Sequence, residues 1–249
     1  TISSLGAVVA ATVTIAAALT ATPALAADTS DTPDGIAGLV SEAVAAAAPA
    51  PMTSDRGNVT VNIPTDPNDA IELTPSDGPA LALTLPKDVD VSAGVTASDG
   101  TVVYAGKPGE ADVTVQPLES GARVSTVLDS QTADRSFEYA LPVGVEAESI
   151  DGGRIELTKT VDVEAEGSAA TVSAVVGYVE PAWAVDAAGQ DVATFYEVVD
   201  GAIVQHVETT QATVYPVVAD PSWTTTAWNQ VRIRWNRAET ATIASGGWA

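Results

Sequence analysis

The feature that most constrains the fold of this chain is a two-residue alternation of apolar and polar side chains that begins at Gly57. Many short segments show it, NVTVNIP, ADVTVQ and AIVQHVE among them, and most are rich in Val, Thr and Ile. Asp-Gly pairs at 77–78, 99–100, 151–152 and 200–201 separate these segments. Asp-Gly favours tight hairpin turns because Gly adopts a positive φ without strain, and EVVDGAIVQ is the clearest predicted hairpin.

The pattern predicts a mainly β protein, an antiparallel β-sandwich or an open barrel. A parallel α/β sheet is excluded because crossover helices are missing between the strands. The β-rich body is predicted to span residues 57–222. The polar segment SQTADR marks the place, near residue 131, where the body would divide if it had two lobes, but no repeat relates the two halves.

The first residues have the character of an export signal. The uncharged apolar run LGAVVAATVTIAAALTATPALA ends in the small-residue box Ala24-Leu25-Ala26, which suits signal peptidase. We therefore expect residues 1–26 to be a signal peptide cleaved after Ala26, and the mature protein to be secreted. An uncleaved membrane anchor is the alternative, and it is less favoured because a polar, acidic stretch follows the box directly.

Residues 27–56 are rich in Ala, Asp, Thr and Pro and are predicted to form a disordered linker. Within it, GIAGLVSEAVAAAA predicts a short helix from Ile36 to Ala48, ended by PAP. Because most of its apolar residues are Ala, we expect this helix to dock weakly. The aspartates of DTSDTPDG stand three residues apart, whereas an EF-hand calcium loop places its ligands at every second residue, so no such loop is predicted.

Composition excludes several classes of function. The formal net charge is −23, from 33 acidic and 10 basic residues. Nucleic-acid binding is therefore excluded for the body, since affinity for nucleic acid comes mainly from Lys and Arg on phosphates. The chain has no cysteine, which excludes disulfides, thiolate nucleophiles and cysteine-ligated zinc. No cofactor is predicted.

Motifs of known enzymes are missing, including Gly-x-Ser-x-Gly, the phosphate-binding loop and His-Glu-x-x-His. The single histidine, His206, shares a strand face with Val204 and Glu208. One His without Cys does not supply the usual zinc ligands, so we predict a half-exposed strand residue with no catalytic role. DPNDAIE, residues 66–72, is a weak calcium candidate, and a solvated turn is the favoured alternative.

Three motifs, FEYALP (Phe137–Pro142), PAWAVDAAG (Pro181–Gly189) and YPVVADP (Tyr215–Pro221), lie in one stretch that ends at Trp223. Together with the tail that follows, this stretch resembles an uncharacterised β-rich module of secreted actinobacterial proteins. The resemblance implies export and a β-rich fold, and it carries over no catalytic residue.

Two residues within these motifs predict local structure. Trp183 is expected to be a core anchor rather than a sugar-stacking residue, because single tryptophans usually pack in a core. Pro216 lies inside VYPVV and cannot donate to a strand ladder, so that strand is predicted to be an edge or bulged strand, ended by Asp220-Pro221.

The tail, residues 223–249, differs from the rest of the chain, since it holds four of the five Trp and three of the seven Arg. We predict that the body ends at Asp220-Pro221 and that the tail is a separate strand followed by a short helix capped by Asn236. On a strand, one face of the tail would carry Val231, Ile233 and Trp235, and the other Trp228, Arg232 and Arg234.

Docking of this tail on the body is favoured over weak attachment to an anionic membrane surface. Arg beside Trp suits a membrane interface, but two or three basic residues contribute little there, about 1 kcal/mol each. The residues that would make either contact are Trp228, Arg232, Arg234 and Trp235.

Together these observations favour a secreted, non-enzymatic β-sandwich protein that makes surface or intermolecular contacts. The alternative is an exported, membrane-active, bacteriocin-like protein that acts through its C-terminal part. A third hypothesis is a hydrolase with paired carboxylates, because 33 acidic residues must place some pair close together; a sugar cleft would also need more aromatic residues than this chain has.

Overall fold

A computed structural model describes residues 32–47, 59–76, 78–131, 133, 135–165, 168–225 and 233–234. Within these ranges the chain forms one α-helix, one 3-10 turn and seventeen strands. The helical elements are α1 (Pro33–Ala47) and the 3-10 turn (Asp151–Gly153). The strands are β1 (Val59–Asn62), β2 (Ile71–Pro75), β3 (Leu81–Leu83), β4 (Val95–Thr96), β5 (Val102–Tyr104), β6 (Asp112–Leu118), β7 (Gly121–Leu128), β8 (Ser136–Ala140), β9 (Val145–Ser149), β10 (Ile155–Ala165), β11 (Ser168–Val179), β12 (Trp183–Asp186), β13 (Ala193–Val199), β14 (Ala202–Glu208), β15 (Val217–Asp220), β16 (Ser222–Thr225) and β17 (Ile233–Arg234).

The strands form three open sheets, and every strand pair is antiparallel. The first sheet has the order β1-β2-β3 and the third the order β13-β14-β8. The large sheet runs β4-β5-β6-β7-β16-β11-β10-β9, with β15 joining β12 to β7 and β17 paired with β11. Strands from both sides of residue 131 share this sheet. The prediction of a mainly β protein with antiparallel sheets is confirmed.

Each of the four Asp-Gly pairs falls between two strands that pair with one another, namely β2 with β3, β4 with β5, β9 with β10, and β13 with β14. In the β13–β14 hairpin, Gly201 has a φ of 74°, in the left-handed region that an L side chain rarely adopts. The hairpin predicted from EVVDGAIVQ is confirmed.

The main core joins side chains from all three sheets. Its largest fully buried members include Trp223, Tyr104, Tyr139 and Phe137. On the opposite face of the large sheet, α1 packs against a second cluster that contains Trp183. Trp183 is 8% exposed, so it is a core residue as predicted, and it is not available to stack on a sugar.

Helix α1 corrects the prediction for the N-terminal linker. It begins at Pro33, three residues before the predicted start at Ile36, and it packs on the large sheet through five buried residues, whereas weak docking was predicted. The reason is a stripe at helical spacing, which the high Ala content obscured. Its buried residues are Ile36, Ala37, Leu39, Val40 and Ala43. The short helix predicted within residues 27–56 is confirmed, with bounds at Pro33–Ala47; the rest of the predicted linker and the predicted signal peptide lie outside the described residues, apart from Thr32.

The predicted end of the body at Asp220-Pro221 is also wrong. The chain continues directly into β16, which pairs with β7 on one side and β11 on the other. Trp223, expected to open a separate tail, is 1% exposed. The physical reason is that the indole packs in the main core, beside the Tyr139 ring of the third sheet.

A third correction concerns Pro216. The strand that follows it begins at Val217, after the proline, and has neighbours on both sides, β12 and β7. It is an internal strand with regular register to both neighbours, rather than the predicted edge or bulged strand. Because Pro216 lies outside the ladder, its missing N–H removes none of the strand's hydrogen bonds.

Strand β16 fits between its neighbours because each neighbour has a glycine beside it. A Cβ on Gly121 would lie 1.9 Å from the Trp223 carbonyl oxygen, and one on Gly177 would lie 2.3 Å from that of Thr224. Both contacts involve backbone atoms, so neither can be relieved by moving a side chain. These glycines are required by close approach of the backbones.

Gly121→Ala is therefore expected to lower the free energy of unfolding by about 3 kcal/mol, because β16 must move away from β7. The measurement is urea unfolding followed by circular dichroism. Gly38→Ala is the matched control, because Gly38 is exposed in α1 and a Cβ there would meet nothing within 4 Å; it is expected to stabilise by about 0.5–1 kcal/mol. Equal effects of the two substitutions would contradict the close approach.

Candidate functional site

The side chains of β8, β13 and β14 that point away from the core form one surface, here called the outer sheet face. Alternation places Ile203, Gln205 and Val207 of β14 in the core, while His206 and Val204 point outward. His206 lies on the face predicted from the sequence, and its side chain is 28% exposed. The outer sheet face comprises Ser136, Glu138, Phe195, Glu197, Val199, Val204, His206 and Glu208.

The imidazole of His206 is held from three directions. Its Nδ1 lies 3.0 Å from the Ser136 hydroxyl, and its Nε2 lies 3.1 Å from Oε2 of Glu197. The Phe195 ring stacks on it with centroids 4.9 Å apart and an interplanar angle of 28°. A ring protonated on Nε2 satisfies both polar contacts, because Ser136 then donates to Nδ1 and the imidazole donates to the carboxylate. This set of contacts fixes both the ring and the Glu197 side chain.

Exposed apolar side chains occur along the outer sheet face and in the turn that follows β8. Phe195 is 48% exposed and Val199 36% exposed. Val143, 97% exposed, lies in the turn after β8, and Leu141 of that turn donates its N–H to the Gly201 carbonyl at the end of β13–β14. These three are most of the exposed large hydrophobic residues in the described part of the chain. Phe195 and Val199 lie on the same face of β13 with Glu197 between them, so the exposed surface of this strand is apolar and acidic in alternation.

The same surface is acidic. The Glu197 side chain is 60% exposed, and Glu208 is exposed at the end of β14. Glu138 lies 3.0 Å from Nζ of Lys87 and is therefore neutralised locally. Glu197 and Glu208 thus flank Phe195, and the only described side chain with a basic group at Glu197 is His206.

Ser136, His206 and Glu197 are joined by hydrogen bonds in the same way as the nucleophile, base and orienting acid of a catalytic triad. Catalysis also needs a site that binds the substrate and donors for the developing oxyanion. The two grooves described next include neither Ser136 nor His206 in their walls.

A groove of about 500 Å³ runs beside β8, and two of the chain's three lysines line it. Each lysine is paired with a carboxylate: Lys87 with Glu138 at 3.0 Å and Lys107 with Asp90 at 2.7 Å. These ion pairs leave the groove without a free cation to select an anionic ligand. A second groove, of about 340 Å³, lies at the Asp186 turn, where that carboxylate already accepts three backbone N–H bonds.

A buried polar cluster connects the third sheet to the large sheet. The Asp220 carboxylate lies 3.1 Å from Nε of Arg123, and the Asp220 carbonyl accepts hydrogen bonds from Gln205 at 2.8 Å and Tyr196 at 3.1 Å. Burial raises the pKa of Asp220 to about 6, although the hydrogen bond from Ser222 and the charge of Arg123 oppose the shift. Asp220 has no exposed surface, so the cluster holds the sheets together and is not a site for a ligand.

The calcium candidate at residues 66–72 is used as a turn. Oδ1 of Asp66 accepts hydrogen bonds from the backbone N–H of Asn68 at 3.0 Å and from its side-chain amide at 2.9 Å. In the ranges that the structure describes, no cluster of three or more His, Cys, Asp or Glu residues has the arrangement of a metal site.

The contact residues predicted in the tail are only partly described. Arg234 lies on β17, where its backbone position is opposite Ser173 of β11. Trp228, Arg232, Trp235 and the helix predicted from Asn236 lie outside the described residues. Among the described helices, none is both long and apolar enough to span a bilayer.

No family model matches this chain, and no curated protein matches it. Sequence reasoning placed His206 on the right face but missed Ser136, Phe195 and Glu197 as its neighbours. The signal was present in part, because Phe195 and Glu197 alternate in phase on one strand of a predicted hairpin. The register between strands, which brings Ser136 to His206, is not readable from one sequence.

Proposed function

We propose that this protein is a secreted, non-enzymatic β-sandwich module that binds a partner through the outer sheet face. The observation that carries the proposal is Phe195. The chain has only two Phe residues; Phe137 is fully buried, whereas Phe195 is 48% exposed and stacked on a fixed His206. An exposed aromatic side chain that is held by a stacked neighbour is typical of a binding hot spot.

Export and family membership belong to this proposal. Export is supported by the apolar run and the Ala24-Leu25-Ala26 box, and membership of the secreted actinobacterial module by the three motifs between Phe137 and Pro221. N-terminal sequencing of the secreted protein is expected to begin at Ala27. An intact N-terminal segment in the membrane fraction would contradict cleavage.

Docking of the tail is supported more strongly than action on a membrane. Strand β16 lies in the large sheet, and β17 pairs with the same edge of β11, at Ser173 and Ala174. Chain that completes a sheet is not free to lie on a bilayer. We therefore propose the binding module rather than the membrane-active alternative.

The test uses a photoreactive benzoylphenylalanine placed at Val199 and, as a matched control, at Val95, which is 52% exposed on the large sheet. A discrete cross-linked adduct is expected in the producing culture from position 199, and Phe195→Ser is expected to reduce its yield at least fivefold, as for an aromatic hot spot. Adducts of equal yield from position 95, or adducts unaffected by Phe195→Ser, would contradict binding by this face.

A further inference from the structure

We propose that the outer sheet face receives a Lys or Arg side chain of a basic polypeptide, with the cation held over the Phe195 ring and beside Glu197. This inference rests on the proposed function and specifies the chemistry of the partner. It is carried by the position of one half-exposed aromatic ring among carboxylates that no described Lys or Arg neutralises.

The ring has one face available. His206 stacks on Phe195 at 4.9 Å, so the imidazole covers one side of the phenyl ring. The remaining surface, 48% of the residue, is open to solvent. The face of an aromatic ring is the negative end of its quadrupole and attracts ammonium and guanidinium groups.

The carboxylate is held in place beside that ring. His206 holds Oε2 of Glu197 at 3.1 Å while 60% of the Glu197 side chain stays exposed. The side chain is therefore oriented before a ligand arrives, which lowers the entropy lost on binding. Glu208, paired across the hairpin with Ala193, adds a second exposed carboxylate on the same face.

A polypeptide fits this surface better than a small organic cation. The exposed Val199 and Val143 favour a ligand with branched apolar side chains, whereas a polyamine offers only linear methylene chains between its charges. The net charge of −23 attracts a basic partner over long range. The same charge opposes contact between two copies of this chain.

The experiment titrates the purified protein with three synthetic probes and follows backbone amide shifts and affinity. The probes are an extended peptide of alternating Leu and Arg, the same peptide with citrulline in place of Arg, and spermine. We expect the Arg peptide to shift the amides of Phe195, Glu197 and His206. We expect Phe195→Ala and Glu197→Gln each to weaken its binding about two- to fivefold. The control Glu72→Gln, at an exposed position of β2, is expected to weaken it less than 1.5-fold.

The outcomes separate this inference from the proposed function. Binding of the citrulline peptide as tight as that of the Arg peptide, with loss in Phe195→Ala, would overturn the cation but keep the face as a binding surface. Spermine that shifts the same amides with equal affinity would overturn the polypeptide. Arg-peptide binding that Glu72→Gln weakens as much as Glu197→Gln does, or no binding at the face, would overturn the inference entirely.

Discussion

Trp223→Ala is expected to lower the free energy of unfolding by about 3–5 kcal/mol, the cost of removing a buried Trp side chain. The indole is 1% exposed, and its ring lies 6.0 Å from that of Tyr139 on the third sheet. It therefore connects two sheets, and the cavity left by Ala is too large for the flanking strands to fill. Urea unfolding monitored by far-ultraviolet circular dichroism gives the measurement.

Trp223→Phe is the matched control, since it keeps an aromatic ring between the sheets, and it is expected to cost less than half as much as Trp223→Ala. A chain ending at Ser222 loses the same indole together with most of β16, and it is expected not to fold. If that truncated chain unfolds with the stability of the intact protein, β16 is not part of the core.

The strands and hairpins were readable from the sequence because each depends on neighbouring residues. The alternation in AIVQHVE and the Asp-Gly turn before it determine β13 and β14 without reference to the rest of the chain. The role of Trp223 was not readable in this way. Its segment differs in composition from the body, and composition suggested a separate tail, but its place is set by pairing with two strands that lie far away in sequence, β7 and β11.

The candidate site was likewise readable from the sequence only where it depends on a single strand. The outward direction of His206 follows from alternation within one strand. Its contacts with Ser136 and Glu197 depend on the register of three strands, and the exposure of Phe195 depends on which face the body covers. A single sequence shows which residues of a strand share a face, but it does not show which residue lies opposite on the neighbouring strand.

Helix α1 shows a different limit of prediction from sequence, which concerns how tightly a helix packs. Most of its apolar residues are Ala, and their small side chains predicted weak docking, although only two of its five buried residues are Ala. In the structure Ala37 and Ala43 are 3% and 0% exposed, because small side chains allow the helix backbone to approach the sheet closely. Leu39 and Val40 then enter the cluster that contains Trp183.

Arg123→Met is expected to destabilise the protein by about 3–5 kcal/mol at pH 7, because it removes the partner of a buried charge. The side chains of Arg123 and Asp220 are 11% and 1% exposed, with 3.1 Å between Nε and Oδ2. Without the guanidinium, the Asp220 carboxylate would be buried with its charge uncompensated. The free energy of unfolding of the variant and the wild type, measured in urea at pH 7, tests this.

The pH dependence distinguishes a lost ion pair from lost packing. Burial raises the pKa of Asp220 to about 6, above the value of 3.8 for an unperturbed Asp. Between these values the folded state holds a proton that the unfolded state has released, so the contribution of Asp220 to stability falls as the pH rises from about 4 to about 6. Loss of the Arg123 charge raises the pKa of Asp220 further, because that charge lowers it in the wild type. The loss of unfolding free energy caused by Arg123→Met is therefore expected to be smaller at pH 5, where the carboxyl is protonated, than at pH 7.

Adding Asp220→Asn to Arg123→Met removes the charge of residue 220 at every pH and is expected to recover part of the lost unfolding free energy at pH 7. A deficit that is equal at both pH values and unchanged in the double variant would mean that Arg123 acts through packing alone.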